Sequence, residues 1–295
     1  MEMLAPLTPP TDGARGGPVA DTPLLKRHEV RPSGLAVNIN LIRELAVAAF
    51  KLKYAGSVLG YLWSLVKPAL VFGMMYLFFA VFLLRGRTQP GENFPVELLL
   101  GVVIYTFFAE ATGTSLMSVV SNGDMIRKAY FPRWILVAAA TLSATMTLLV
   151  NLALVLIIGL SLGWYHVGWQ SLTLIPLVVE LYAFTLGLGL ILGALCVPYR
   201  DLGHIWEIVL QFLFYASAIL FPFSLVPHGL QFWAGLNPLA QIIEDVRRAL
   251  VSPLIPWTYQ LLGVGTIIPA ALVALSVVSG FSLFRHLSRR FAEGL

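Results

Sequence analysis

The 295-residue sequence contains one cysteine, Cys196, and its charged residues amount to only 12% of the chain. A single cysteine excludes an intrachain disulfide and a cysteine-based metal cluster. The histidines do not compensate, because they are scattered and show no metal-ligand spacing. They are His28, His166, His204, His228 and His286. We therefore predict no metal site in this chain.

Several motifs of catalytic chains are also missing. No Gly-Lys dipeptide occurs, so the chain has no G-x-x-x-x-G-K-[ST] loop for the phosphates of ATP. H-E-x-x-H and D-x-D are absent too, which argues against a metalloprotease and a metal-dependent glycosyltransferase. We expect a non-catalytic chain without a cofactor of its own. If ATP drives its activity, ATP and Mg²⁺ must bind to a separate polypeptide.

What the sequence has in abundance is apolar residues, which make up 58% of it. Its mean hydropathy of +0.83 is that of a polytopic membrane protein. Backbone polar groups must be satisfied internally in a bilayer, so long apolar runs predict helices. The fold class we predict is an all-α membrane protein with six transmembrane helices, each near or above the ~20 residues needed to span. Their ranges are 59–84, 96–120, 134–162, 172–197, 205–223 and 259–284.

The distribution of positive charge predicts the orientation. Nineteen lysines and arginines occur in the chain, and all but four lie in segments that are cytoplasmic if the N-terminus is inside. The four exceptions are Arg85, Arg87, Arg247 and Arg248. Because cytoplasmic loops carry the excess of Lys and Arg, we predict a multi-pass protein of the plasma membrane with both termini in the cytoplasm.

Two regions precede the six-span domain, which we place at 59–295. Residues 1–34 are rich in Pro, Gly and Thr, and we predict a disordered cytoplasmic tail. Residues 35–58 predict an amphipathic helix that lies flat at the cytoplasmic interface, capped by Asn38 or Asn40 and ending at Gly56. Its basic side carries Arg43, Lys51 and Lys53.

The segment 121–133 is the most polar interruption between two long apolar runs. Asn122, Gly123 and Asp124 supply turn and cap chemistry. Residues 125–131 then predict a short helix, stopped by Pro132. Arg127, Lys128 and Arg133 place this helix on the cytoplasmic side, where a soluble partner can push on it.

This segment resembles one in the permease subunits of polysaccharide-exporting ABC transporters of the ABC-2 type. The resemblance rests on Asn122, on the run Met-Ile-Arg-Lys at 125–128, on Tyr-Phe-Pro-Arg at 130–133 and on Ile135-Leu136. Tyr-Ala-Gly-Ser at 54–57, Lys67-Pro68 and Arg-Asp-Leu at 200–202 are similar to the same family. The similarity covers about residues 38–295.

The resemblance implies a role for the short helix and a set of partners. In that family the helix contacts the ATPase subunit, with two ATPase copies beneath a homodimer of permeases in the bacterial inner membrane. The implied cargo is a lipid-linked (polyprenyl diphosphate) polysaccharide such as O-antigen, teichoic acid or cell-wall galactan; membrane lipids are further partners and nucleic acid is not. The implied ATPase-coupling residues are Asp124, Met125, Arg127, Lys128, Tyr130, Phe131, Pro132, Arg43, Lys51 and Lys53.

The resemblance leaves other functions open. A drug or antibiotic efflux permease of the same superfamily is the alternative within transport. A membrane-embedded lipid-modifying enzyme would need clustered polar groups at one depth, and a structural scaffold would not need re-entrant external helices.

The external segment 224–257 is too apolar for a solvated loop and too interrupted by Pro and Gly to span. We predict two short re-entrant helices between spans five and six, separated at Asn237-Pro238. Glu244 and Arg248 are four residues apart and are expected to pair on one face. The resemblance implies that these helices line the external exit. An interfacial hairpin without a pathway role is the alternative.

Two carboxylates lie well inside predicted spans, away from the span ends, and these are Glu110 and Glu180. A charged group at the centre of a lipid-exposed helix costs ~2.5–3.5 kcal/mol on insertion scales, so each should face protein or water. We hypothesise that Glu110 lines a pathway whose aromatic rings stack against sugars. The aromatic residues are Tyr105, Phe107 and Phe108. Helix–helix packing is an equal alternative for Glu110 and the favoured one for Glu180.

The second cytoplasmic loop carries Arg200 and Asp201, between the fourth and fifth spans. These adjacent opposite charges either form a local pair or belong to a simple turn before span five. Arg200 could also bond to the end of span four or to a partner protein.

Overall fold

The computed structural model describes residues 34–56, 60–78, 94–128, 131–165, 168–220, 223 and 226–288. The tail predicted to be disordered lies outside these residues, apart from Gly34. Over the described ranges the chain is helical and contains no strand, in agreement with the all-α prediction. The helices are α1 (Leu35–Tyr54), α2 (Trp63–Phe78), α3 (Phe94–Ser121), α4 (Gly123–Lys128), α5 (Trp134–Ser161), α6 (Leu174–Cys196), α7 (Leu202–Ala216), α8 (His228–Gly235), α9 (Pro238–Leu250), α10 (Thr258–Leu262) and α11 (Ile267–Leu287).

Four helical segments in the described part of the chain are long and apolar enough to cross a membrane. They are Phe94–Ser121, Trp134–Ser161, Trp169–Cys196 and Thr258–Leu287. They coincide, within a few residues at each end, with the predicted second, third, fourth and sixth spans. The last two begin with short helical turns that lead into α6 and α11.

The predicted first and fifth spans correspond to shorter apolar helices, α2 and α7. The end of the predicted first span, 79–84, lies outside the described residues. Helix α7 has 15 residues, so it is about 22 Å long at 1.5 Å per residue. It ends at Ala216 and not at Phe223, because the chain turns at Ala218, whose φ is 55°, a left-handed conformation that a helix cannot contain.

Helix α3 lies at the centre of the bundle and packs against α5, α6, α7 and α9. Small hydroxyl side chains allow these close contacts and satisfy one another. The hydroxyls of Ser115 in α3 and Thr141 in α5 are 3.0 Å apart. The indole Nε1 of Trp206 in α7 donates to Thr112 Oγ1 at 3.1 Å.

Helices α6 and α11 approach each other closely at glycine residues. A Cβ on Gly187 of α6 would come within 2.6 Å of the backbone carbonyl carbon of Ser276 in α11. A Cβ on Gly280 of α11 would come within 2.6 Å of the carbonyl oxygen of Gly187. Such backbone contacts are characteristic of small-residue packing between membrane helices.

We therefore expect Gly187→Ala to destabilise the protein by about 1–3 kcal/mol, because the two backbones would have to separate. Gly113→Ala in α3 is the matched control, since a Cβ there meets nothing within 4 Å. That control should stabilise slightly, by up to about 1 kcal/mol, because alanine is the better helix former. Thermal unfolding of the purified chain in detergent measures both, and shifts of the same sign would contradict the packing argument.

Helix α1 differs from its prediction at its N-terminal end. It begins at Leu35 with Gly34 as its extended N-cap, so the prediction that Asn38 or Asn40 caps it is wrong. The Gly34 carbonyl already accepts from Val37 N at 3.0 Å, which starts the helix before either asparagine. The helix ends at Tyr54, close to the predicted Gly56, whose φ is 75°.

Candidate functional site

The predicted cytoplasmic helix exists as α4 but is shifted along the sequence. It begins two residues before the predicted Met125 and ends at Lys128. The start moves because Asn122 O accepts from Ile126 N at 3.1 Å. The Asn122 side chain instead donates to Ser118 O at 2.8 Å, which closes the end of α3. No residue of α4 is buried. Ile126 packs against the core next to Val119 and Val137, whereas Asp124, Met125, Arg127 and Lys128 are exposed and can contact a partner.

The structure describes only some of the residues that follow α4, where further coupling residues were predicted. Ala129 and Tyr130 lie outside the described residues. The guanidinium of Arg133 donates to the carbonyl of Ser288, immediately after α11. The centroids of the Trp134 and Phe281 rings are 5.7 Å apart. A cavity of about 460 Å³ lies between the start of α5 and the end of α11. The segment that carries α4 is therefore joined to α3 at one end and to α5 and α11 at the other.

Helix α1 packs along α5, and its last turn lies beside the middle of two spanning helices. The Tyr54 hydroxyl is 3.5 Å from Thr147 Oγ1, about 20 Å along α5 from Trp134 at 1.5 Å per residue. The Lys53 ammonium forms an ion pair with Glu110 of α3. The C-terminal end of α1 thus reaches into the bundle, whereas a helix lying flat on the surface would not.

Three basic residues of α1 were predicted to contact the ATPase. Arg43 and Lys51 are exposed, so both remain open to a cytoplasmic partner. Lys53 has Glu110 as its partner in this structure. The ATPase role of all three stays a prediction.

The aromatic residues predicted to line a pathway divide into two groups. Phe108 is 1% exposed and stacks on Phe184 of α6 at 5.7 Å, as the packing alternative requires. Tyr105 and Phe107 are buried as well, but both border a cavity together with Glu110. The Tyr105 hydroxyl also donates to the Leu210 carbonyl of α7.

That cavity has a volume of about 720 Å³ and lies between α2, α3, α5 and the last turn of α1. Its lining combines four aromatic residues, Tyr54, Trp63, Tyr105 and Phe107, with a set of polar side chains. The polar residues are Lys53, Ser64, Lys67, Thr106, Glu110, Thr147 and Asn151. We call this space the mid-bundle cavity. Volumes of 300–1,000 Å³ are those of sites for small molecules.

Proline at position 68 explains one contact of the mid-bundle cavity. Pro68 lies inside α2 and has no backbone N–H to donate to the carbonyl one turn earlier. That carbonyl belongs to Ser64, and it accepts from Asn151 Nδ2 at 3.1 Å. The Asn151 Oδ1 is buried and has no hydrogen-bond partner among the described residues. Sequence reasoning missed Asn151, although an asparagine inside an apolar span was a visible signal.

The external segment contains two short helices, α8 and α9, as predicted. Asn237 accepts from Leu239 N at 3.0 Å and caps α9, and Pro238 is its first residue. This confirms the predicted separation at Asn237-Pro238. The Asn237 amide also donates to Ser217 Oγ at 3.1 Å, which ties α9 to the turn after α7.

The predicted ion pair of Glu244 with Arg248 is wrong. Glu244 pairs with Arg247 at 3.0 Å, and both side chains are 1% exposed. Burial raises the pKa of the Glu244 carboxyl, and the Arg247 guanidinium opposes that shift. Arg248 instead donates to Ser252 O at 3.2 Å and lies over the Trp257 ring.

Arg247 is the buried residue that decides this pairing. Its guanidinium donates to three carbonyl oxygens besides the carboxylate of Glu244. These are Glu97 O at 3.0 Å, Ala218 O at 2.7 Å and Ile219 O at 2.8 Å. One side chain thus holds α9 against the start of α3 and the turn after α7.

The remaining predicted polar residues have structural roles in the described chain. Glu180 of α6 lies near Gln241 and Asp245 of α9, so it faces protein, in agreement with the packing interpretation. Asp245 Oδ1 accepts from Thr258 N at 2.8 Å, so this group of polar residues connects α6, α9 and α10.

The loop that carries Arg200 and Asp201 is a turn. No ion pair joins these two residues in the part of the chain that the structure describes, which favours the turn over the local pair. The Asp201 carbonyl accepts from Ile205 N at 3.2 Å and starts α7.

One short sequence, 159–163, matches G-x-S-x-G, the pattern found around the nucleophile of many hydrolases. Its serine, Ser161, is the last residue of α5, and its hydroxyl donates to Ile158 O at 2.7 Å. The pattern therefore lies at the end of a helix, whereas a nucleophile elbow requires a turn from a strand into a helix.

Comparison with known proteins identifies similar chains of one kind. The model of the family described as ABC-2 type transporter matches residues 40–251. The O-antigen export system permease protein RfbA of Klebsiella pneumoniae is 31% identical over 250 residues, 82% of this chain and 90% of the relative. RfbA of Myxococcus xanthus is 28% identical over 86% of this chain and 95% of the relative. The polysialic acid transport protein KpsM of Escherichia coli is 26% identical over 74% and 84%.

The family model extends across most of the described helices, from α1 to the end of α9, and the three relatives are covered over 84% to 95% of their length. They agree with the resemblance that was read from the segment around α4. On these grounds the chain belongs to the ABC-2 type transporter family of membrane permeases.

Proposed function

We propose that this chain is the permease subunit of an ATP-driven exporter that moves a polysaccharide from the cytoplasm across the plasma membrane. The observation that carries the proposal is its similarity to an O-antigen export permease and to a polysialic acid transport protein, over 74% to 86% of its length. The absence of a phosphate-binding loop in the sequence supports a separate ATPase subunit. ATP and Mg²⁺ bind to that partner, and this chain contributes the path and the moving parts.

The architecture we propose has six spans, with α2 and α7 completing the four longer ones. Both termini lie in the cytoplasm, which the excess of Lys and Arg on that side supports. Two copies of the chain form the channel above two ATPase subunits, and α8 and α9 dip into the outer leaflet and return. The buried contacts of Arg247 support a fixed external structure at this point, since they connect α9 to α3.

In the proposed mechanism, closure of the ATPase subunits presses on the exposed helix α4. The push reaches α3 directly through Asn122 and Ser118. It reaches α5 and α11 through Arg133, which bonds to Ser288. The ion pair of Lys53 with Glu110 couples α1 to α3 in the same movement.

The cargo we propose is a glycan carried on a polyprenyl diphosphate. Depletion of the protein, followed by mass spectrometry of inner-membrane lipids, tests this directly. We expect a long glycan to accumulate on its diphosphate lipid, because synthesis of the glycan continues when its export stops. No accumulation, combined with new sensitivity to small amphiphilic drugs, would favour a drug efflux permease instead.

A further inference from the structure

The mid-bundle cavity carries more positive than negative charge on its described lining. Two ammonium groups, from Lys53 and Lys67, face one carboxylate, from Glu110. Lys53 and Glu110 form an ion pair and neutralise each other. No carboxylate among the described residues pairs with Lys67. One positive charge of the cavity therefore lacks a counter-charge within the described structure.

The position of Lys67 makes its charge available to a ligand. Lys67 lies in the first half of α2, an otherwise apolar helix, and it is exposed where it borders the cavity. An ammonium group forms its strongest hydrogen bonds with anionic oxygens. Charge therefore favours an anionic ligand in the cavity.

A second, independent observation concerns Asn151, which is 5% exposed. Its Nδ2 is held by the Ser64 carbonyl, so the amide cannot rotate without losing that bond. Its Oδ1 is buried and unpartnered in the described structure. A buried amide oxygen without a donor loses the hydrogen bond that it would make to water. The site therefore favours a ligand with an O–H or N–H donor, which a fully ionised phosphate lacks.

The aromatic residues of the lining restrict the class of ligand further. Trp63 and Tyr105 border the same cavity, and aromatic rings provide apolar faces against which the C–H face of a sugar ring can pack. A ligand that joins an anion, hydroxyl donors and a sugar face in one small unit is a glycosyl phosphate.

We propose that the mid-bundle cavity binds the glycosyl phosphate unit of the exported glycan. Lys67 binds the phosphate, and Asn151 Oδ1 accepts from a sugar hydroxyl or N-acetyl group. The ion pair of Lys53 with Glu110 closes the side of the cavity next to α1. This assignment rests on the proposed export function, because it identifies where that cargo is recognised.

Equilibrium binding of defined probes to the full chain in lipid nanodiscs tests the assignment. The lipid-linked probe is farnesyl diphosphate carrying N-acetylglucosamine, and N-acetylglucosamine 1-phosphate is the free one. Farnesyl diphosphate without sugar completes the set. We expect both sugar phosphates to bind, and the lipid-linked probe to bind at least tenfold more tightly than farnesyl diphosphate. Equal affinity for the probes with and without sugar would overturn the sugar assignment.

Matched variants locate the site. Lys67→Met should weaken binding of both sugar phosphates at least tenfold, and Lys67→Arg should restore most of it. Arg285→Met is the control, since Arg285 is exposed on α11 and does not border the cavity. Asn151→Leu should abolish the preference for the sugar-bearing probe while Lys67-dependent binding persists. Wild-type affinity in Lys67→Met, or no binding by the wild type, would overturn the proposal.

Export in cells separates this proposal from the function on which it rests. If depletion of the chain stops polysaccharide export but Lys67→Met exports normally, the exporter function stands and the cavity assignment fails. If depletion leaves every surface glycan unchanged while the probes bind in a Lys67-dependent way, the cavity assignment stands and the export function fails.

Discussion

Replacing Arg247 by methionine is expected to prevent the region around α9, the start of α3 and the turn after α7 from folding normally. The substitution keeps the apolar volume of the side chain but leaves Glu244 as a buried charge without a partner. It also removes the N–H groups that donate hydrogen bonds to the carbonyl oxygens of Glu97, Ala218 and Ile219. Removal of one partner from a buried ion pair costs about 3–5 kcal/mol. Thermal unfolding and the yield of folded protein in detergent measure the effect.

Arg248→Met is the matched control, because it changes the neighbouring residue on the same helix. The Arg248 guanidinium donates to one carbonyl, of Ser252, and lies over the Trp257 ring. Its loss should cost about 1 kcal/mol. The double variant Arg247→Met with Glu244→Gln should regain part of the stability, since no buried charge remains. Equal melting temperatures for Arg247→Met and Arg248→Met would show that the buried pair is unimportant.

Met125→Asp in α4 is expected to uncouple ATP hydrolysis from export. Met125 is 37% exposed, and an apolar side chain on an exposed helix beside the basic residues Arg127 and Lys128 is suited to a pocket on another protein. A carboxylate in its place would have to be buried without a partner in that contact. Export should fall at least tenfold, which corresponds to about 1.4 kcal/mol, while the assembled complex still hydrolyses ATP.

Met125→Leu is the conservative control and should retain export, since it preserves the apolar contact and the helix. The measurement compares glycan flux and ATP hydrolysis in the same membranes that contain both subunits. Export at the wild-type level in Met125→Asp would exclude α4 as the element that receives the push. Loss of both export and assembly would instead assign α4 to binding of the ATPase alone.

The sequence determined the features that depend on local chemistry. Apolar runs of sufficient length located four of the spanning helices, because a bilayer accepts only backbone that bonds within its own segment. The Asn-Pro pair at 237–238 located the start of α9, because capping involves neighbouring residues. The aromatic-Pro-Arg segment after α4 indicated the family before any coordinates were considered.

Tertiary structure decided which side chains meet. On a helix surface, residues three and four positions after Glu244 both lie next to it. Only the carbonyl groups of Ala218 and Ile219, which are distant in sequence, select Arg247 over Arg248 as its partner. Lys53 is a second example. It is basic like Arg43 and Lys51 on the same helix, and only its ion pair with Glu110 on another helix distinguishes it. The mid-bundle cavity joins Lys67 with Asn151 across two helices. Sequence patterns describe one helix at a time, so packing between helices creates these sites.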